Sequence, residues 1–237
     1  MDARRPGLDG LERWGCGAAI GLAIALWAAH AARLASSLAL ADVPWVLAAL
    51  LLGALAADLV TGLVHWACDT WGDEQTRWLG PTLIYAFREH HERPREMLER
   101  HWTLVNREPG LAAALLLMLL SLPAAQALLE GRAVVQTLLL SFVGYAASAN
   151  QLHLWAHHRR PPRPVRLAQR LGLVLSPERH AQHHRRPHTS AYCISTGWLN
   201  PALDRLGFWR ALERLVSQLT GARARAGQPQ TRRVRST

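Results

Sequence analysis

Long apolar stretches alternate with polar, arginine-rich ones along the chain. Four apolar stretches stand out, at 16–40, 43–65, 109–129 and 133–154. Each approaches or exceeds the roughly 20 residues that a helix needs to cross the hydrocarbon core of a bilayer. Apolar helices buried in soluble proteins are usually shorter. The pattern therefore predicts an all-α, polytopic membrane protein with about four transmembrane helices. The first stretch carries His30 and Arg33 near its end, and no small-residue cleavage site clearly follows it. It reads as a retained helix and not as a signal peptide. Tight turns at 40–43 and at Glu130-Gly131-Arg132 pair the stretches into two hairpins, whereas the link 66–108 and everything after Leu154 are long and polar. With four spans, the N-terminus, the long link and the C-terminal region fall on one side.

Charge assigns that side. Half of the 237 residues are hydrophobic, yet the formal net charge is +10, which suits a membrane protein whose charges lie outside the bilayer. Arg4, Arg5, Arg13, the six Arg of the long link and the sixteen Arg after Leu154 share the polar side, and Arg132 is the only one in the opposite turns. The positive-inside rule makes the arginine-rich side cytoplasmic, so a multi-pass protein with both termini and one helical cap in the cytosol is expected. All 27 basic residues are Arg. Arg grips phosphate bidentately and suits phospholipid headgroups, although codon usage accounts for its preference over Lys equally well. Nucleic acid is excluded as a partner, because no recognition motif or interleaved aromatic platform accompanies the charge. Cys16, Cys68 and Cys193 are isolated, which argues against a disulfide framework and against a thiolate zinc site.

Within the cap, 163–176 reads as a short amphipathic stretch at the interface. A helix is expected over 201–220, with Asn200 as its cap and Leu203, Leu206, Trp209, Leu212, Val216 and Leu219 on one face. Residues 221–237 are polar and arginine-rich, and disorder is expected there. The organisation is one membrane-embedded domain over 1–220, followed by that tail.

Eleven of the twelve histidines lie at or beyond the cytosolic ends of the spans, and His30 alone lies elsewhere. His65 ends the second stretch, with Asp58 seven residues before it and Asp69 four after, all on one helix face. A carboxylate inside a span is costly and usually functional; Asp58 is either a direct participant or an orienting or packing group. FREHHERPREMLERHW supplies His90, His91 and His101. Adjacent histidines share a helix face poorly, but each can address a different metal of one dinuclear centre. NQLHLWAHH places His153 and His157 at i and i+4 with Asn150 one turn before, which is good ligand spacing. His158 points away from that face and reads as a surface residue. ERHAQHHRRPH sets His180, His183 and His184 as HxxHH, with His188 a turn further if the helix continues past Pro187.

Eight or more histidines with few carboxylates exceed what one tetrahedral zinc uses. Imidazole suits iron, copper and zinc alike. The count argues for two metals, and an oxygen-activating iron pair is the chemistry that calls for such a site next to lipid. A hydroxylase on the same scaffold and a non-oxidative zinc-binding membrane protein are the alternatives.

Over roughly 58–215 the chain resembles the Kua/CarF-type lipid desaturases. The resemblance rests on GLVHWACDTWG, FREHHERP with the later RHW, NQLHLWAHH, ERHAQHHRRPH and YCISTGWLNPALDRLGFWRALE, of which the last is the most family-specific. It implies a di-iron oxidoreductase that uses O2 and a separate electron donor such as cytochrome b5 or ferredoxin. It implies a membrane phospholipid substrate, either an ether phospholipid converted to the vinyl ether of a plasmalogen, as by plasmanylethanolamine desaturases, or a phospholipid acyl chain. The metal ligands expected on this basis are His65, His90, His91, His153, His157, His180, His183 and His184. Asp69, His101, Asn150, His188 and Asp58 are further ligands or orienting groups. Arg159, Arg160, Arg185 and Arg186 are expected at the lipid headgroup.

Overall fold

The computed structural model describes residues 6–225, with side chains from Gly10 onward. Arg4, Arg5 and residues 226–237, which include most of the tail expected to be disordered, lie outside the described residues. The described residues are helical and irregular, without a strand. The chain runs through α1 (Pro6–Ser37), α2 (Val43–Thr70), α3 (Tyr85–Glu92), α4 (Trp102–Val105), α5 (Arg107–Leu120), α6 (Pro123–Leu129), α7 (Ala133–His157), α8 (Arg163–Arg170), α9 (Pro177–His183), α10 (Asn200–Arg205) and α11 (Phe208–Thr220).

Three helical segments are long and apolar enough to cross a membrane: Gly10–Ser37, Leu40–Thr70 and Ala133–His157. The third expected span is not one straight helix. It is α5 followed by α6, bent by 78°, and it makes a fourth crossing only if the pair counts as one. Pro123 causes the break. Its ring disfavours a helical residue before it, and Leu122 is extended at φ −64°, ψ 143°. Large apolar side chains such as Leu47, Leu51, Leu52, Val60, Leu111 and Leu115 face outward along these helices, as a lipid environment requires.

Small residues bring the helices together. Ala49, Gly53, Ala57 and Gly62 form the buried stripe of α2. A Cβ on Gly53 would lie 2.5 Å from the Leu138 carbonyl oxygen of α7, so only Gly permits this crossing. Ser141 of α7 donates to the Leu50 carbonyl (2.7 Å), and Trp27 of α1 donates to Leu140 (2.8 Å). α1 and α5 pack through Ala23, Leu34, Ala113 and Leu117. Arg107 pairs with Glu12, and Asn150 donates to the Val105 carbonyl. The N-terminal ends of α1 and α5 therefore lie beside the C-terminal ends of α2 and α7, and the histidines gather there.

The helix expected over 201–220 is two helices. Gly207 is left-handed (φ 62°) and separates α10 from α11. Leu203, Trp209, Leu212 and Val216 pack with Trp66 and Tyr192, while Leu206 and Leu219 are exposed. Asn200 does not cap a helix with its side chain; it bonds the backbone N–H and carbonyl of Cys193 (2.9 and 3.0 Å).

Candidate metal centre

Four helices deliver the donors. α2 carries His65 and Asp69, α3 carries His90 and His91, and the C-terminal end of α7 carries His153 and His157. α9, with its N-terminus capped by Ser176, carries His180 and His183 and leads directly into His184. The spacing i, i+4 places His65 with Asp69, His153 with His157, and His180 with His184 on common faces. The structure brings all eight expected histidines together with Asp69, and it divides the nine into two groups. His90, His153, His157, His180 and His184 form one; His65, Asp69, His91 and His183 form the other; within each, one donor atom per residue lies within 4.8 Å of the rest.

The two HH pairs each straddle the division. Neighbours on a helix point about 100° apart, so His90 and His91 address different groups, and so do His183 and His184.

The donor geometry fits cations. Nε2 of His180 faces the Nε2 atoms of His157 (2.7 Å), His153 (2.8 Å) and His184 (2.9 Å). A neutral imidazole has one N–H and one lone pair, so these contacts cannot all be hydrogen bonds. In the second group, Nε2 of His91 and His183 approach to 2.8 Å. Asp69 Oδ2 lies 3.5 Å from Nε2 of His65, His91 and His183, beyond a good hydrogen bond. Both Asp69 oxygens and His65 Nε2 are buried without a hydrogen-bond partner among the described residues. A buried carboxylate without a donor is expensive, and a metal ion among these atoms removes that cost.

Burial keeps the imidazoles neutral, as ligation demands. It pushes His91 down to about 2, helped by His183, and His184 down to about 4, helped by His188. It lowers His183 to about 3, against a hydrogen bond to the Ser190 carbonyl that raises it. His90 and His180 are held far below the usual imidazole range by burial and then by His153.

The block 191–197 is buried and lies across the second group. His65 Nδ1 donates to the Tyr192 carbonyl (3.2 Å) and His183 Nδ1 donates to the Ser190 carbonyl (2.8 Å). These bonds fix the tautomer and leave each Nε2 lone pair free for a metal. Asp58 anchors the same strap by accepting from the backbone N–H groups of Thr196 (2.8 Å), Gly197 (3.0 Å) and Leu199 (3.2 Å). Sequence reasoning offered Asp58 as an orienting or packing group but did not foresee the strap it holds or the Tyr192 and Ser190 carbonyls. The one available signal was an uncharged AYCISTG run inside an arginine-rich cap.

The remaining expected site residues lie around the groups and outside them. His188 stacks on His91 at 4.5 Å and contacts the His183 carbonyl. Asn150 donates to the Val105 carbonyl, tying α7 to α4. His101 is exposed, and its Nδ1 contacts Thr103 at the start of α4. His158 is exposed, as are Arg159, Arg160, Arg185 and Arg186. Each arginine pair follows closely on a histidine of the five-histidine group, after His157 and His184 respectively.

A family model described as a lipid desaturase domain matches residues 54–227. The chain is 36% identical over 177 residues to a plasmanylethanolamine desaturase of Myxococcus xanthus, covering 74% of this chain and 62% of that protein. It is 34% identical over 187 residues to plasmanylethanolamine desaturase 1 of Mus musculus, covering 77% of this chain and 69% of the relative. It is 35% identical over 182 residues to the chloroplastic fatty acid desaturase 4 of Arabidopsis thaliana, covering 73% and 52%. No solved structure matches the chain.

Proposed function

Because this chain belongs to the lipid desaturase domain family, we propose that it is a di-iron, O2-dependent desaturase that forms the vinyl ether bond of a plasmalogen from an ethanolamine ether phospholipid. The observation that carries the reading is the division of eight histidines and Asp69 into two buried groups. His90, His153, His157, His180 and His184 hold one iron, and His65, Asp69, His91 and His183 hold the other. Nine donors, one of them a carboxylate, exceed a zinc site's usual four. When bound, an iron pair supplies the oxidant that an unactivated C–H bond requires, drawing on O2 and on electrons from a separate donor of the cytochrome b5 or ferredoxin type.

The protein's own groups arrange that chemistry. Tyr192 and Ser190 orient His65 and His183 through their carbonyls, His188 braces the ring of His91, and Asp58 holds the strap in place. The domain, 1–220, sits in the membrane with α1, α2, the bent pair α5–α6 and α7 as four crossings. Both termini and the histidine-bearing face lie in the cytoplasm. Arg159, Arg160, Arg185 and Arg186 keep that face at the phosphate layer of the bilayer.

Likeness to a chloroplastic fatty acid desaturase favours one second reading, desaturation of a phospholipid acyl chain on the same scaffold. Expression in a host fed alkyl ether phospholipids separates the two. The proposed reaction yields acid-labile vinyl ethers lighter by two hydrogens. A product heavier by one oxygen, or purified protein that holds zinc and no iron, would overturn it. His183→Ala and His157→Ala, one from each group, are expected to abolish turnover while the protein still inserts into membranes. Full turnover in both variants would refute the ligand assignment.

A further inference from the structure

A cavity of about 130 Å³ opens beside α3, between the turn Glu96–Leu98 and the start of α5. His90 and His153, both members of the five-histidine group, line it. Its charged lining consists of Arg93, Arg100 and Arg107 with Glu89, Glu96 and Glu108, three of each sign and no net charge. Most of these charges already neutralise one another. Arg107 pairs with Glu12 and Glu108, and Arg93 pairs with Glu89 at 3.3 Å. Arg100 is left over, and Glu96 only shares Arg93 with Glu89. Arg100 has no carboxylate partner among the described residues. Glu96 Oε2 is buried without a hydrogen-bond donor, and its nearest cation is Arg93 at 3.8 Å.

We propose that this cavity receives the headgroup of the lipid substrate, with Arg100 taking the phosphate and Glu96 taking a primary ammonium. The inference rests on the reading of the five-histidine group as an oxidising centre. A neutral lining with one spare cation and one carboxylate oxygen that lacks a hydrogen-bond donor complements a zwitterion and not an anion. The unpaired Glu96 oxygen needs an N–H donor, which ethanolamine has and choline lacks. Quaternary ammonium groups are instead recognised by aromatic cages, and Phe87 is the only aromatic carbocycle in this lining. His90 and His153 line the same cavity as Glu96 and Arg100, so a headgroup bound here holds the first carbons of the chain near those two histidines.

The test compares ether phospholipids that differ only in headgroup (ethanolamine, choline, glycerol) with the iron-loaded full chain in lipid nanodiscs. Glu96→Gln is expected to raise KM for the ethanolamine lipid about tenfold, the worth of a charge-assisted hydrogen bond. It should leave kcat and iron content unchanged and narrow the preference over choline. Arg100→Gln should raise KM for all three lipids. Glu96→Arg should move the preference toward the anionic glycerol lipid, a gain that misfolding cannot produce. Unchanged KM values and an unchanged headgroup ratio in these variants would overturn the headgroup site while leaving the desaturase reading intact. Lipid binding followed by native mass spectrometry separates the opposite case. If nothing is oxidised but Glu96→Gln still weakens binding of the ethanolamine lipid, the headgroup site stands and the desaturase reading falls.

Discussion

Adjacent histidines on a helix diverge by about 100°, and this angle lets His90–His91 and His183–His184 each serve two groups of donors. Three of these four imidazoles carry a stability signature. His91, His183 and His184 fall to about 2, 3 and 4 in the folded chain, each chiefly through burial, against about 6.5 when unfolded. Between those values the unfolded state binds more protons, so metal-free protein loses stability as pH falls below about 6.5, until the folded values are reached. Melting temperature measured after chelation should drop from pH 7.5 to pH 5, whereas a flat profile would contradict the buried, neutral assignment. Bound metal should raise the melting temperature across this range, because it binds the neutral imidazoles of the folded chain. Five of the eight histidines were legible in the sequence because HxxxH and HxxHH translate into helix faces, whereas His65, His90 and His91 stand outside those motifs. The Tyr192 and Ser190 carbonyls were not legible, since every residue carries a carbonyl and only the fold decides which one meets an imidazole.

Between elements, the decisive features are a close approach and an anchor. Gly53 lets α2 lie against the backbone of α7. Gly53→Val should cost about 2 kcal/mol or more through overpacking, read as a lower melting temperature. Asp58 joins α2 to the strap that orients His65 and His183. Asp58→Ala should strand three backbone donors, destabilise the fold by about 3 kcal/mol and lower iron content, although Asp58 belongs to neither group. Existence of the long helices was legible from apolar length alone. Their interruptions were not legible in that pattern. Pro123 stands inside an otherwise apolar run, and Gly207 stands inside an otherwise amphipathic one. In each case one backbone conformation, extended Leu122 or left-handed Gly207, overrides a continuous side-chain pattern.

At the scale of the whole molecule, the ends of the long helices sort the chemistry. His65, His153 and His157 lie at one end, whereas His30 contacts Ser121 and Arg33 contacts Gln126 at the other. On the proposed topology, single cysteines at Arg132 and at Arg160, in a background without the native cysteines, should react with an impermeant thiol reagent from opposite faces of the membrane. Labelling from the same face would rule out four crossings. The donor segments are also spread along the chain, with α2 and α3 early, α7 later and α9 near the end. During synthesis, α2 and α7 reach the membrane before α9 and the 191–197 strap exist. The nine donors therefore converge only after insertion is essentially complete. On the proposed function, loading of metal becomes the closing step of biogenesis, and the supply of metal at that moment would set how many inserted chains become working copies.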